Sequence, residues 1–424
     1  MIALPPSSRS QVALGLRAAA VVGRFELQVC LQCGAVQYPP REACHRCLSS
    51  ALDWRLQAGG GDLLSATTLR HSHDEFFRAR LPIRLGLVRL DVGPTAVVFL
   101  DDDVASAPAR VKVAARLDRA GQAVLVASAE VGAGGVTSSR LLREMSCDPR
   151  GRRVLVTDAG SAVGVELVRA LVEVGAAIVW AGRNAAAVGA VVAEAVGTAG
   201  AAVGTEAARA ADGSKGPLGS SSQVKSVDLD VTSDESVRAA AVRIGSQVDI
   251  LINTAESLDK VAAGVGVESA HAEMDISHFG LVRLARAFGP LMRATATGAA
   301  GGDSNAAEPA VGTPMMAWVN LLSIDALSVA PGRSALSASQ AAAYSFAQSL
   351  RTELQPAGIR VLNIFPGPID DERNRELLPP KVAPVALARA IVKALQDGVE
   401  DVYPGEVAQN WYTRWYNNLR GSGT

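Results

Sequence analysis

Four of the five cysteines in this 424-residue chain stand in two pairs, Cys30-x-x-Cys33 and Cys44-x-x-Cys47, with ten residues between the pairs. Four thiolates at this spacing can surround one Zn²⁺ tetrahedrally at about 2.3 Å each, and they leave no open coordination position. Such a metal is structural rather than catalytic. Iron suits the same cage, and free thiols or a redox pair are the competing readings. Gly34 supplies the positive φ needed after the first pair, and Pro39-Pro40 stiffens the return. Cys147 stands alone and reads as a structural or linker residue. A second stretch with chemical potential begins at Arg152-Arg153 and runs "RVLVTDAGSAVGVELVRALVEVGAAIVWAGRN". Its order of strand, glycine-bearing turn, amphipathic helix and strand is the start of a Rossmann unit, in which phosphates meet a helix N-terminus.

Positioning these residues requires two kinds of element. Residues 8–22 have apolar positions at helical spacing, so residues 1–25 are assigned an N-terminal helix and 26–50 the cysteine ribbon. Short apolar strands separated by turns follow at Gly61–Thr68, Ile83–Asp91, Ala96–Phe99, Arg110–Leu117 and Ala123–Ala127, which predicts a small β-barrel over 51–148. Residues 149–424 alternate strands and helices, with strands at Val224–Val231, Asp249–Asn253, Met316–Leu322, Ile359–Ile364 and Asp401–Tyr403. Helices are expected over 234–246, 274–294, 336–355 and 384–397, giving an α/β doubly wound parallel sheet. Low-complexity Ala/Gly/Ser segments at 197–222 and 297–313 read as insertions without chemistry of their own.

Composition narrows the function classes. A hydrophobic share of 49% with 20% charged residues supports packed cores, and a net charge of -1 gives no long-range field for nucleic acid or an anionic membrane. The N-terminus lacks a basic region followed by a continuous apolar one, and no run of 18 apolar residues occurs, so a soluble cytoplasmic protein is expected. In that reducing compartment the paired cysteines read as metal ligands, not disulfides. A barrel alone could bind single-stranded nucleic acid, but the only adjacent aromatic pair in the segment is Phe76-Phe77. His71 and His73 read as surface or docking residues.

Residues 10–128 resemble the zinc-ribbon plus OB-fold proteins that accompany thiolases and lipid-transfer-type acyl-CoA aldolases. The resemblance is carried by "GRFELQVC", "CGAVQYPP", the second cysteine pair, "GGGDLLSATTLRHS" and "LGLVRLDVG". It implies docking onto an acyl-CoA-handling enzyme, with acyl-CoA itself a possible contact. The rest of the chain, from "AWVNLLSIDALSVAPGRSALSASQAAAYSFAQSLRTELQPAGIRVLNIFPGPID" outward, resembles the short-chain dehydrogenase/reductase family.

That family carries a Tyr-x-x-x-Lys pair with a catalytic Ser thirteen residues before the Tyr. Here Ser323 is kept, but Leu336 holds the Tyr position, Gln340 the Lys position, and Ser277, aligned through Phe279-Gly280, the catalytic Asn position. The fingerprint Thr-Gly-x-x-x-Gly-x-Gly reads Thr157-Asp158-Ala159-Gly160-Ser161-Ala162-Val163-Gly164. An Asp158 carboxylate facing a pyrophosphate at about 5 Å would repel it by roughly 3 kcal/mol at an effective dielectric of 20; the alternative is an outward-turned Asp158 capping a turn. The resemblance further implies Arg183 at the 2'-phosphate position, favouring NADP over NAD, Asp230 at the adenine, Asn253 opening a motif that continues Thr254-Ala255-Glu256, and the Pro366-Gly367-Pro368 turn at the nicotinamide.

Leu336 has no ionisable atom and Gln340 is neutral, so the proton relay of the family's reaction is missing. Tyr344 lies about 12 Å along the helix and roughly 80° off the face of Leu336, so it does not substitute. His278 is the nearest titrating residue and reads as packing. Two functions therefore compete. One is a non-catalytic subunit of a hetero-oligomer, docking a thiolase or aldolase and pairing with an active short-chain dehydrogenase, as in benzylsuccinate-type degradation. The other is an NADP-dependent 3-hydroxyacyl/3-oxoacyl thioester oxidoreductase with unconventional residues.

Overall fold

The structure, a computed structural model, describes residues 4–6, 10–130, 139–183, 223–255, 266–298, 311–329 and 332–419. The insertion at 197–222, most of that at 297–313, and Glu256 lie outside the described residues. Contacts divide the chain into two units: Met1–Cys147 with Ala307–Met315 and Asp397–Glu400, and the remainder.

The N-terminal helix is shorter than its apolar spacing suggested. A 3-10 turn over Gln11–Ala13, capped by Ser10, leads into α1 (Leu14–Val21), which buries Leu16, Ala19 and Ala20. The ribbon that follows is a three-stranded antiparallel sheet in the order β2-β1-β3, formed by β1 (Glu26–Cys30), β2 (Val36–Gln37) and β3 (Leu52–Leu56). The central strand β1 is buried throughout. Gln28 and Gln37 face each other in register, and Gln37 donates from Nε2 to Gln28 Oε1 at 2.9 Å. Gln37 Oε1 then accepts the His45 backbone N–H at 3.0 Å, tying the second cysteine pair to the sheet.

β4 (Gly60–Leu69), β5 (Ile83–Leu90), β6 (Thr95–Leu100), β7 (Ala109–Leu117) and β8 (Ala123–Ala129) close a barrel in the order β4-β5-β6-β8-β7. Alternation along β7 sends Val111, Val113, Ala115 and Leu117 inward, where they meet Leu63, Val88, Val98 and Leu100. At Gly86 a Cβ would collide with Leu63 and Leu100, so the glycine is a packing requirement of this core. Two short helices, α2 (Glu75–Ala79) and α3 (Arg140–Arg143), escape the strand-based reading and contribute to a second apolar cluster of Phe76, Ile83, Val126, Leu141, Leu142 and Met145.

In the second unit β9 (Arg153–Val156), β10 (Ile178–Gly182), β11 (Gln223–Val227), β12 (Ile250–Asn253), β13 (Met316–Leu321), β14 (Ile359–Ile364) and β15 (Asp401–Val402) form a parallel sheet. The order is β11-β10-β9-β12-β13-β14-β15, with a reversal between β9 and β12 that opens the usual ligand crevice of such sheets. Strands β12, β13 and β14 are buried along their whole lengths, as sheets covered on both faces require. The helix expected over 274–294 is three segments: α-helix Val267–Met274, a π-helical turn Asp275–Phe279, and α-helix Gly280–Ala296. A final helix, Glu406–Leu419, was not expected from the sequence.

Candidate functional sites: a thiolate cage and a crevice at the sheet reversal

The cysteine cage is formed by two matching turns. Gly34 sits at φ +70° and donates its N–H to the Cys30 carbonyl at 2.9 Å; Leu48 repeats the geometry after Cys47, at φ +60° with its N–H to the Cys44 carbonyl at 3.0 Å. The four Sγ atoms of Cys30, Cys33, Cys44 and Cys47 all lie within 4.8 Å of one another. Cys30 and Cys47 are 3.5 Å apart, and Cys33 and Cys44 are 3.6 Å apart. A tetrahedron with bonds of about 2.3 Å has edges of about 3.8 Å, so the cage fits zinc and leaves no position for a substrate. The backbone N–H of Cys33 leads the effects that lower the Cys30 thiol to about 6, overcoming the burial that raises it.

Asp158 caps the turn, as one of the two sequence expectations had it, but it does so facing inward, and it presents no bare charge to the crevice: it is 7% exposed. Its Oδ1 accepts the N–H groups of Gly160 and Ser161, each at 3.1 Å, and its Oδ2 pairs with Arg183 Nη1 at 2.7 Å. Ser161 caps the next helix, Ala162–Glu173, by accepting the Gly164 N–H at 3.0 Å. Across the reversal, Thr157 Oγ1 donates to Asn253 Oδ1 at 3.1 Å and accepts the Thr254 N–H at 3.0 Å. Thr254 Oγ1 in turn accepts the Asp158 N–H at 3.0 Å. The retained fingerprint residues are thus stitched to one another. Gly164 is held by packing as well, since a Cβ there would penetrate the Asp158 carbonyl oxygen. Asp230 lies on the surface and accepts both the N–H and the hydroxyl of Thr232.

Ser323 follows β13, and its hydroxyl donates to Asp325 Oδ2 at 3.0 Å while accepting the Asp325 N–H at 3.2 Å. Asp325 is 4% exposed and is clamped by Arg333 at 3.1 Å. Neither residue was singled out from the sequence; the short Ser-x-Asp spacing is the signal that could have found Asp325, and Arg333 carries no comparable local signal. Leu336 and Gln340 share one face of the helix Ser334–Leu354 and are 2% and 5% exposed. Gln340 Nε2 donates to Ser277 Oγ at 3.1 Å, so the positions aligned with the family's Lys and Asn do meet. Ser277 reaches this point from the π-helical turn, a distortion common at functional sites. Among the described residues Gln340 Oε1 and Ser337 Oγ have no hydrogen-bond partner.

The other expected residues take packing roles. Pro366 accepts the Ile324 N–H at 2.9 Å, and a Cβ at Gly367 would stand 2.8 Å from Val407. Tyr344 lies edge-on to Phe365 at 5.1 Å, and burial raises its phenol above the ordinary value. His278 packs against Phe279 and Phe346, at 5.0 and 6.1 Å between ring centroids. In the first unit His71 and His73 meet edge to face at 4.9 Å and are both exposed. Phe76 is 3% exposed, so the Phe76-Phe77 pair offers no stacking platform for bases.

The first unit also contains a cavity of about 130 Å³, walled by Phe76, Phe77, Phe99, Val124, Leu141 and Met145. Its polar side includes Glu144, which is 1% exposed and accepts Arg80 Nε and the Gly312 N–H, both at 2.7 Å. Among the described residues no helix is long and apolar enough to cross a membrane.

Comparison with known proteins divides the chain in the same way. Residues 17–53 match the ChsH2 rubredoxin-like zinc ribbon domain and 54–122 the ChsH2 C-terminal OB-fold domain. Residues 182–402 match the enoyl-(acyl carrier protein) reductase family model, beginning just past the altered phosphate loop. A relative in Staphylococcus aureus strain USA300, described as an uncharacterized oxidoreductase, is 26% identical over 57% of this chain and 89% of its own length. A similar protein of Staphylococcus saprophyticus is 26% identical over 57% of this chain and 90% of its own. Among solved structures, a short-chain dehydrogenase of Burkholderia cenocepacia in complex with NADP is 29% identical, with a TM-score of 0.48 over 65% of this chain and 100% of that one.

Proposed function

The chain belongs to the short-chain dehydrogenase/reductase family in its enoyl-(acyl carrier protein) reductase group, with a ChsH2-type zinc ribbon and OB-fold ahead of that domain, and from this premise we propose that it is a non-catalytic subunit of an acyl-CoA-processing assembly. The carrying observation is the Gln340–Ser277 hydrogen bond beneath a buried Leu336. In the family's reaction a phenol exchanges a proton while an ammonium lowers its pKa and holds the nicotinamide ribose. Here the Gln340 amide donates to the Ser277 hydroxyl, neither group carries a charge, and nothing at position 336 can carry a proton. Ser323 directs its hydroxyl proton to Asp325, which leaves it poorly placed to polarise a carbonyl.

In this reading the ribbon and barrel dock a thiolase or acyl-CoA aldolase, and the reductase domain pairs with an active short-chain dehydrogenase. Zinc in the four-cysteine cage keeps the docking module folded. The 130 Å³ cavity supports an acyl or aryl contact in that module, because apolar cavities of about 150 Å³ accept a benzene ring. The reading is tested by co-expression with a thiolase and with an active short-chain dehydrogenase from the same organism: a stable complex carrying both chains is expected, and a chain that remains alone with each partner refutes it.

A second reading, an NADP-dependent 3-oxoacyl thioester reductase, draws on the Ser323–Asp325–Arg333 arrangement. There the Asp325 carboxylate would serve as the acid–base group. It requires Ser323-dependent turnover of NADPH with a 3-oxoacyl thioester.

A further inference from the structure

We infer that the Asp158 carboxylate is an internal anion that holds the phosphate-binding groups of the crevice and sets the pocket against phosphorylated nucleotides. Three donors that a dinucleotide would seek converge on this one side chain: the N–H groups of Gly160 and Ser161 on Oδ1, and the Arg183 guanidinium on Oδ2. A local turn explains only the first half of this arrangement, since capping the 158–161 turn needs a single oxygen. Arg183 supplies the second half. Its backbone stands at φ +104°, a conformation that L residues with long side chains rarely adopt, and its side chain folds back over the loop. A Cβ built on Gly160 would stand 3.3 Å from Arg183 Cδ, so the stem of the arginine lies against the loop where bound ribose phosphate would need access. With Asp158 buried and Arg183 one third exposed, the pair is already charge-satisfied. A 2'-phosphate would have to displace a carboxylate and leave that carboxylate unpaired and buried. Asp158 therefore acts as a specificity-determining residue. The inference does not depend on the absence of hydride chemistry.

The test is a fluorescence titration of the full-length protein with NADPH and NADH, alongside thermal melts that confirm folding. Wild-type protein is expected to show no saturable binding of either nucleotide. Asp158→Asn keeps an oxygen for the loop N–H groups but removes the counter-charge of Arg183, so NADPH affinity should rise about tenfold or more over NADH. Asp158→Gly frees the loop donors as well, and both nucleotides should gain. Adding Arg183→Gln to Asp158→Asn should remove the preference for NADPH. Wild-type protein that binds NADPH as tightly as Asp158→Asn, or a folded Asp158→Asn that gains nothing, overturns the inference. NADPH binding by wild type without turnover refutes this inference alone. Turnover that appears in Asp158→Gly supports the inference and refutes the non-catalytic reading.

Discussion

The thiolate cage and the reductase crevice are opposite cases of what it means for a residue to be kept. In the cage, four side chains have one shared purpose, and all four sulfurs converge to metal-binding distances. Unless a metal is meant to bind, nothing among the described residues explains why Cys33 and Cys47 should lie beside Cys44 and Cys30. In the crevice, the residues whose chemistry matters have changed, and those that survive each have a second reason to exist. Gly164 and Gly367 have no room for a Cβ. Thr157, Asn253 and Thr254 tie the ends of β9 and β12 together by hydrogen bonds to one another. A retained motif residue is evidence of function only where packing does not already require it.

That contrast can be broken or sharpened by experiment. The largest effect should come from the cage: Cys30→Ser, or chelation of the metal, is expected to unfold the ribbon, because structural zinc contributes on the order of 10 kcal/mol in small domains. Metal analysis with limited proteolysis checks this; the ribbon should be cut while 149–424 persists, and a zinc content unchanged by Cys30→Ser would contradict the four-thiolate assignment. Gly164→Ala should destabilise the reductase domain by about 3 kcal/mol in denaturant melts without nucleotide. If that glycine served only to admit a pyrophosphate, its replacement would leave the unliganded stability unchanged.

Asp249→Asn should cost about 2 kcal/mol, since it breaks the paired contacts to Arg153 at 2.7 and 3.0 Å. Burial alone would raise the Asp249 carboxyl, but the hydrogen bonds from Arg153 and the charge of Arg152 outweigh it and hold the group below its ordinary value. The unfolded carboxyl, near about 3.9, binds its proton at higher pH than the folded one. The stabilisation is therefore present at neutral pH and is lost as pH falls below about 4 toward the depressed folded value, and melts of Asp249→Asn should lack this acid-side loss. The smallest effect is Leu48→Gly, expected to stabilise the metal-loaded ribbon by about 1 kcal/mol, because Leu48 occupies the left-handed region where its counterpart is Gly34.

Much of both regions was legible before any coordinates. Fixed cysteine spacing gave the cage, and hydrophobic period and turn residues gave the barrel and the parallel sheet, because those signals are local and repeat along the chain. The side-chain pairings were not legible. Asp158 turned inward because Arg183, twenty-five residues later in sequence, offered a partner. Asp325 met Ser323 because a 3-10 turn at Ile324–Ala326 folded it back, and Arg333 then closed over it. The buried Arg80–Glu144 pair likewise joins positions 64 residues apart. Helix Glu406–Leu419 was missed because Ala408 is the one buried residue among those whose burial is described, leaving too narrow an apolar stripe to stand out.

The central claim is that the helix bearing Leu336 and Gln340 is kept for its frame and not for hydride transfer. Its most direct test is the rate of NADPH consumption by the full-length protein with a 3-oxoacyl thioester, measured beside Ser323→Ala and the double substitution Leu336→Tyr with Gln340→Lys. The account predicts no consumption by wild type above that of Ser323→Ala, and none from the double substitution while Asp158 remains in place. Ser323-dependent turnover by the wild-type chain would contradict it.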